Sequence, residues 1–373
     1  MNRQDNQQTR ASVFDLSYSQ LEARMQGLGQ PSFRARQVWQ WIWQKGCPDF
    51  ARMTNLSKEL RHRLAQELDL RLPALSGLAS SRDGTKKGLL SLYDGQEVEW
   101  VLIPDKDHFT LCLSTQVGCS LGCTFCSTGR MGFVRNLTSG EILAQVLIAT
   151  QVLEEARSSW PLRNIVFMGM GEPLLNWSQV HKGLTILRDP MGLGFSHRRV
   201  TVSTVGVPGT LTAFAQTGLA SLAVSLHAPN QALRRQIMPA ASRLLPLSDL
   251  MDTLQAIPLK PRQRITVEYI LLGGVNDGLN QARDLNRLLS RLKCKINLIS
   301  FNPAPELPYT APDPDAVAAF EHFLRSKGQT VTLRKSKGQD IQAACGQLRN
   351  SPGRSNAGSA LEPNMERGMH AQT

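Results

Sequence analysis

A chain of 373 residues with 41% hydrophobic content can bury a large core plus a smaller satellite domain, and needs no disulfide staples to fold. Its 42 Lys and Arg outnumber 30 Asp and Glu, and the formal charge of +12 favours a polyanionic partner, nucleic acid first, through phosphate contacts. The start, MNRQDNQQTR, has no apolar signal region and no run of about 18 apolar residues occurs, so neither secretion nor membrane spanning is expected and the reading is cytoplasmic.

Residues 1–12 are polar and Gln-rich and read as a disordered leader. Residues 13–85 read as a small helical accessory domain. Val38, Trp39, Ile42 and Trp43 form one apolar stripe, and Leu56, Leu60, Leu64 and Leu68 another. Arg34, Arg36, Arg61 and Arg63 fall off these stripes, either as an RNA-facing surface or as solvated charge. KKGLLSLYDGQEVEWVLIP then alternates around Asp94-Gly95, a pair suited to a type I′ turn, so a two-stranded hairpin opens the second domain, 86–349.

Six short apolar or β-branched runs follow: TLCLSTQVG, NIVFMGMGEP, RRVTVSTVG, SLAVSLHA, RITVEYILLGG and KINLISFNP. They alternate with helical patterns such as 139–158 and 279–293, which predicts an α/β fold of parallel β/α units; TVTLRKSKG adds a last strand-like run. In a curled parallel sheet or barrel the chemistry lies at the C-terminal strand ends. A cysteine-rich loop, the Gly169–Pro173 stretch GMGEP, Ser203, Ser225-Leu226-His227 and Asn302 all fall there. Residues 350–373, rich in Ser, Gly, Pro and Asn, read as a disordered tail.

Seven cysteines in a reducing compartment point to metal binding or thiol chemistry rather than a disulfide framework. Cys119, Cys123 and Cys126 form C-x3-C-x2-C, with Phe125 before the last. Three thiolates can hold three irons of a cubane and leave the fourth open, whereas a closed structural zinc site takes four protein ligands. Cys112 would complete a zinc set, yet it stands on a predicted strand, outside the paired spacing of such sites. Read alone, Cys345 is a small buried thiol, His227 a satisfied core histidine and Glu99 a solvated hairpin glutamate.

Together and in order, TLCLSTQVGCSLGCTFCSTG, VFMGMGEPLLN, VSTVG, SLHAPN, FNP and DIQAACGQL resemble the RlmN/Cfr family of radical S-adenosylmethionine RNA adenine methyltransferases. The resemblance implies a partial (β/α)6 TIM-like barrel behind the small helical domain. It implies a 4Fe-4S cluster on Cys119, Cys123 and Cys126, whose open iron chelates S-adenosylmethionine. Contacts to that cofactor are implied for Gly171, Glu172, Ser203, Ser225, Leu226, His227 and Asn302.

The same resemblance implies a role for two more cysteines. Cys345 takes a methyl group from one S-adenosylmethionine by displacement, and a second one supplies a 5′-deoxyadenosyl radical that removes hydrogen from the S-methyl. The methylene radical adds to adenine C2, a carbon too electron-poor to act as a nucleophile. Glu99 accepts the ring proton, and Cys112 attacks the Cys345 sulfur to free the product, leaving a transient disulfide. The implied substrates are 23S rRNA in its peptidyl-transferase region and tRNA, with an electron-donating reductase system as partner and a monomeric state. The competing readings are C8 methylation of the same rRNA adenine, a glycyl-radical activating enzyme that needs neither Cys112 nor Cys345, and a zinc-containing RNA-binding module. Arg334-Lys335-Ser336-Lys337-Gly338 departs from the arginine-rich approach expected before the last motif, and Cys47 and Cys294 match no functional position.

Overall fold

Residues 10–349 are described in a computed structural model, and the tail expected to be disordered, 350–373, lies outside them. The expected leader also lies outside except for its last residues, where Ala11–Ser12 (β1) pairs in parallel with Leu68–Asp69 (β2). A backbone ladder orders this short segment, which its side chains do not announce.

Between these strands lie α1 (Tyr18–Gly27), α2 (Ser32–Trp43) and α3 (Lys58–Glu67). Ser17 and Gln20 form a reciprocal capping box on α1, and the Ser57 hydroxyl accepts from the Leu60 N–H to cap α3. Both predicted apolar stripes are buried. Trp43 meets Phe14 and Trp39 edge to face, with centroids 5.7 Å apart in each pair. Of the four arginines, Arg36 and Arg63 are exposed, while Arg34 and Arg61 donate to the Asn55 and Ala51 carbonyls and tie down the turn before α3. Trp39 Nε1 donates to Asp189 Oδ2 and the Gly140 N–H to Asp15 Oδ1, both at 2.8 Å, so the helical domain is bolted to the second domain.

The chain next forms β3 (Ala74–Ser80), β4 (Lys86–Ser91), β5 (Glu97–Asp105) and β6 (His108–Leu113). A small hairpin, β7 (Gln116–Gly118) and β8 (Phe133–Asn136), brackets the cysteine loop and the short α4 (Ser127–Arg130). Alternating units follow: α5 (Ser139–Glu155), β9 (Leu162–Phe167), α6 (Trp177–Arg188), β10 (Val200–Thr204), α7 (Thr210–Thr217) and β11 (Ser221–Ser225). Then come α8 (Gln231–Ile237), α9 (Pro239–Leu244), α10 (Leu247–Ala256), β12 (Ile265–Leu271), α11 (Leu279–Leu289), β13 (Cys294–Ser300), α12 (Pro314–Ser326) and β14 (Val331–Arg334).

One sheet of ten strands results, in the order β14-β13-β12-β11-β10-β9-β6-β5-β4-β3. Strands β6 and β9 to β14 run parallel, and β5, β4 and β3 continue the sheet antiparallel from β6. The six predicted strands and the last strand-like run all form. The hairpin differs from expectation: it has a third strand, and β3 lies ahead of the domain boundary placed at residue 85. Its sequence, ALSGLAS, is poor in β-branched residues and mostly exposed at the sheet edge, so neither propensity nor alternation marks it; pairing with β4 does.

The sheet is curled. Met168 after β9, Ser203, Ser225, Glu268 and Ile299 of β13 line one pocket, whereas a flat sheet at about 4.8 Å per strand would hold the outer two about 19 Å apart. Cross-strand packing also fixes the antiparallel extension: Gly88 lies opposite Trp100, and a Cβ on Gly88 would stand 2.2 Å from the indole ring. Gly88→Ala is therefore expected to destabilise the protein by about 1–3 kcal/mol through overpacking, read as a fall in Tm. An unchanged Tm would show that the β4–β5 face can repack around the methyl.

Candidate active site

The cysteine loop leaves β7 through Gly118, whose φ of +72° and closeness to Gly132 exclude a side chain: a Cβ there would lie 1.8 Å from the Gly132 carbonyl oxygen. Loop contacts then set its course. Cys119 N–H donates to Gly132 O at 2.8 Å, Cys126 N–H to Cys123 O at 3.1 Å, and Thr124 N–H to Ile237 O at 3.0 Å. Cys119, Cys123 and Cys126 all line one pocket at the C-terminal strand ends, beside Leu121 and Phe125.

Among the described residues, no group of three or more His, Cys, Asp or Glu is gathered as the ligands of a single metal ion. Three thiolates that each bind a different iron of a cubane stand around the cluster rather than around one point, and three cysteines lining one pocket fit that arrangement. Burial pushes the Cys119 thiol up to about 12 and the Cys123 thiol well above its usual range. Thiols this reluctant to ionise become thiolates when a metal takes the proton's place.

Polar groups from three successive units, β9 to β11, complete the pocket. Gly171 has φ +96°, and a Cβ would meet Gln116 at 2.5 Å, so the second glycine of GMGEP is a steric requirement of the strand exit. Glu172 is buried, with Oε1 accepting from the Leu174 N–H and Oε2 from the Val205 N–H, each at 3.0 Å; burial nevertheless raises its pKa. The Ser203 and Ser225 hydroxyls are 3.2 Å apart on adjacent strands. His227 adopts φ +56°, its Nδ1 accepts from the Ile270 N–H at 3.1 Å, and its ring stands edge-on to Phe125. Burial, and then the Arg234 charge, push its pKa down to about 3, so the ring is neutral with its proton on Nε2.

Two expected contacts sit differently. The Leu226 side chain is core, so this residue offers backbone only, and its N–H already donates to Glu268 O at 3.1 Å. Asn302 lines the adjoining inner cavity, where its Oδ1 accepts from Gln339 Nε2 at 2.7 Å.

That inner cavity holds the other two cysteines. Cys112 of β6 and Cys345 both line it, together with Cys126, Arg334 and Met168. Cys345 also lines the outer pocket, so it stands where the two spaces meet. Burial pushes the Cys112 thiol up to about 12, the nearby Cys345 adds to this, and Arg334 opposes it. Cys112 thus shares a cavity with Cys345 and does not line the pocket of the cysteine loop.

The strap 338–349 is laid across the site by specific bonds. Ser127 N–H donates to Gly346 O at 2.8 Å, Thr128 Oγ1 to Leu348 O at 2.6 Å, and Gln347 Nε2 to Pro303 O at 2.9 Å. Glu99 is buried beneath its end: Oε2 accepts from the Arg349 N–H at 2.8 Å and Oε1 is 2.9 Å from Lys87 Nζ. The solvated hairpin glutamate is corrected by this burial, which raises the pKa of the carboxyl against the pull of Lys87.

Sequence reading assigned no role at the thiols to Arg334 or Glu268. Arg334 falls in the charged run that departs from the expected arginine-rich approach, yet its guanidinium lies beside Cys345, Glu268 and Cys112. Glu268 lines the outer pocket from β12 and accepts from Asn297 Nδ2 at 3.2 Å. Strand alternation could have turned both inward, since Ser225, Glu268, Asn297 and Thr332 are consecutive partners in one row across the sheet.

Comparison with known proteins agrees with this geometry. Residues 11–70 match the family described as Ribosomal RNA large subunit methyltransferase N-terminal domain, and residues 113–299 match the Radical SAM superfamily. The chain is 57% identical, over 91% of its length and 96% of the relative's, to a protein of Solidesulfovibrio magneticus named Dual-specificity RNA methyltransferase RlmN. A protein of the same name from Nitratidesulfovibrio vulgaris is 55% identical over 95% of this chain and 99% of its own. The crystal structure of a radical SAM methyltransferase from Sphaerobacter thermophilus superposes with a TM-score of 0.86 at 42% identity, covering 91% of this chain and 99% of that one. The chain belongs to the RlmN family of radical S-adenosylmethionine RNA methyltransferases.

Proposed function

We propose that this protein methylates C2 of an adenine in 23S rRNA and C2 of an adenine in tRNA, with Cys345 as the carrier of the methyl group. The observation that carries the reading is the placement of Cys112 and Cys345, remote in sequence, in one cavity that shares Cys126 and Cys345 with the pocket of the cysteine loop. A glycyl-radical activating enzyme or a zinc-containing RNA-binding module has no use for this pair.

Cys119, Cys123 and Cys126 hold the 4Fe-4S cluster, which when bound supplies the electron for reductive cleavage of S-adenosylmethionine. Glu172 offers carboxylate acceptor capacity, the Ser203 and Ser225 hydroxyls offer paired donor and acceptor groups, and His227 offers a neutral N–H; these bind and orient S-adenosylmethionine. Gly171 and the Leu226 backbone shape the strand ends, and Asn302 braces the strap through Gln339. Cys345 holds the methyl as a thioether between pocket and inner cavity. Glu99 accepts the proton of the ring carbon, and Cys112 then attacks the Cys345 sulfur to release the product.

The partners of this reading are the two RNAs and an electron-donating reductase system, met by a cytoplasmic monomer. Among the described residues no helix is long and apolar enough to cross a membrane. The basic charge and the exposed Arg36 and Arg63 of the helical domain serve RNA attraction. RNA deuterated at adenine C2 tests the position of methylation: methyl gain with loss of that deuterium is expected, and methyl gain with the deuterium retained assigns the chemistry to C8.

A further inference from the structure

Glu99 is buried, yet its carboxylate has a fixed cation. Lys87 Nζ stands 2.9 Å from Glu99 Oε1 and also donates to the Gln342 carbonyl at 3.4 Å. Lys87 lies opposite Val101 in the β4–β5 ladder, and Val101 lies opposite Cys112 in the β5–β6 ladder. Residues directly opposite share a face, so Lys87, Val101 and Cys112 form one row, of which Val101 and Cys112 line the inner cavity, and Glu99, two residues from Val101, lies on the same face.

Lys87 also reaches the strap that carries Cys345. Gln342 is a non-glycine residue at φ +52°, and its carbonyl accepts from Lys87. The turn between β3 and β4 fastens the strap again: the Gly338 N–H donates to Asp83 Oδ2 at 3.0 Å, and Ser81 Oγ to Asp340 Oδ1 at 2.6 Å.

We propose that Lys87 is a positioning residue for the proton-removal step, holding Glu99 ionised and tying it, through one ammonium group, to the strap that presents Cys345. This rests on the reading of Glu99 as the proton acceptor. Only a carboxylate can take the ring proton, whose bonding electron pair stays on the ring as Glu99 becomes a neutral acid, while the unpaired electron brought by the methylene radical passes to a one-electron acceptor and leaves a closed-shell thioether adduct. Burial favours that neutral acid in advance, and the charged groups facing Glu99 are Lys87, whose effect is the larger, and Arg349. Its backbone N–H meets the uncharged Met170 sulfur at 3.4 Å, and its carbonyl meets the Ser114 hydroxyl at 2.6 Å. Removing the Lys87 charge moves Glu99 ionisation to higher pH, so the loss of base is greatest at low pH and recovers as pH rises.

The test uses the reconstituted holoenzyme in anaerobic single turnovers, with free methylated RNA separated from the covalent protein–RNA adduct on denaturing gels. Lys87→Gln retains a donor for Glu99 and Gln342 but removes the charge. Its release rate, divided by that of the native protein at the same pH, is expected to be about tenfold low at about pH 6.5 and close to unity at about pH 9, while Lys87→Arg stays near unity throughout. A ratio for Lys87→Gln that does not change with pH overturns the inference, because a merely structural lysine has no such profile. Glu99→Gln separates the two readings. It is expected to accumulate adduct at every pH; normal release by this variant removes Glu99 as the acceptor, whereas blocked release beside native-like Lys87→Gln overturns Lys87 alone. An infrared difference spectrum between native protein and Glu99→Gln needs no Lys87 variant: a carboxylate band at neutral pH is expected, and a carboxylic-acid band overturns the inference.

Discussion

Cys345→Ala is expected to lower RNA methylation by at least about 10³-fold, because it removes the atom on which the methyl group rides to the base. The structure predicts that little else changes. Cys345 is half-buried where the two cavities meet, and its strap is held by backbone and side-chain bonds at Gly346, Gln347 and Leu348 that the substitution leaves in place. Stability should therefore stay within about 1 kcal/mol of the native protein, and iron and sulfide content should be unchanged. Mass spectrometry of the native protein should find a methyl group on the peptide containing Cys345. Methylated RNA formed by Cys345→Ala at a rate within about tenfold of native would remove this cysteine from the chemistry.

Cys112→Ala is expected to trap the protein covalently on its RNA. In the proposed release, the Cys112 sulfur bonds to the Cys345 sulfur as the bond from that sulfur to the product carbon breaks. The electron pair of the broken bond goes to the product carbon, which takes up a proton, and the disulfide left behind must be reduced by two electrons before the next turnover. Burial holds the Cys112 thiol protonated at neutral pH, so it attacks only once its proton has left, and the Arg334 guanidinium beside the pair favours that loss. Most of the RNA engaged in one turnover should then migrate with the protein on a denaturing gel. Free methylated RNA released at the native rate by Cys112→Ala would contradict the resolving role.

Much of this arrangement was legible in the sequence because periodicity and spacing carry it. The stripes through Trp39 and Leu60 gave the helical domain, alternating runs gave the parallel strands, and C-x3-C-x2-C gave the cluster loop. Each signal is local, and the physics behind it is local too. Strand β3 stayed hidden because its pairing with β4 exists only after the chain folds back. The burial of Glu99 was equally invisible, since it depends on Arg349, which the sequence places far away. Arg334 was one charge in the run before the last motif until β14 joined the edge of the sheet and brought it beside Cys112 and Cys345. The resemblance of ordered motifs, rather than any residue pattern alone, paired those two cysteines, and the inner cavity now supplies the physical setting for that pairing.

The central claim is that the methyl carbon reaches RNA from the Cys345 sulfur. Protein whose Cys345 has been loaded with a ¹³C-methyl group, given unlabelled S-adenosylmethionine, a reductant and RNA for a single turnover, tests it directly. The account predicts ¹³C in the methyl group of the adenine and its loss from the Cys345 peptide. A product methyl that is entirely unlabelled, with the ¹³C still on Cys345, would contradict it.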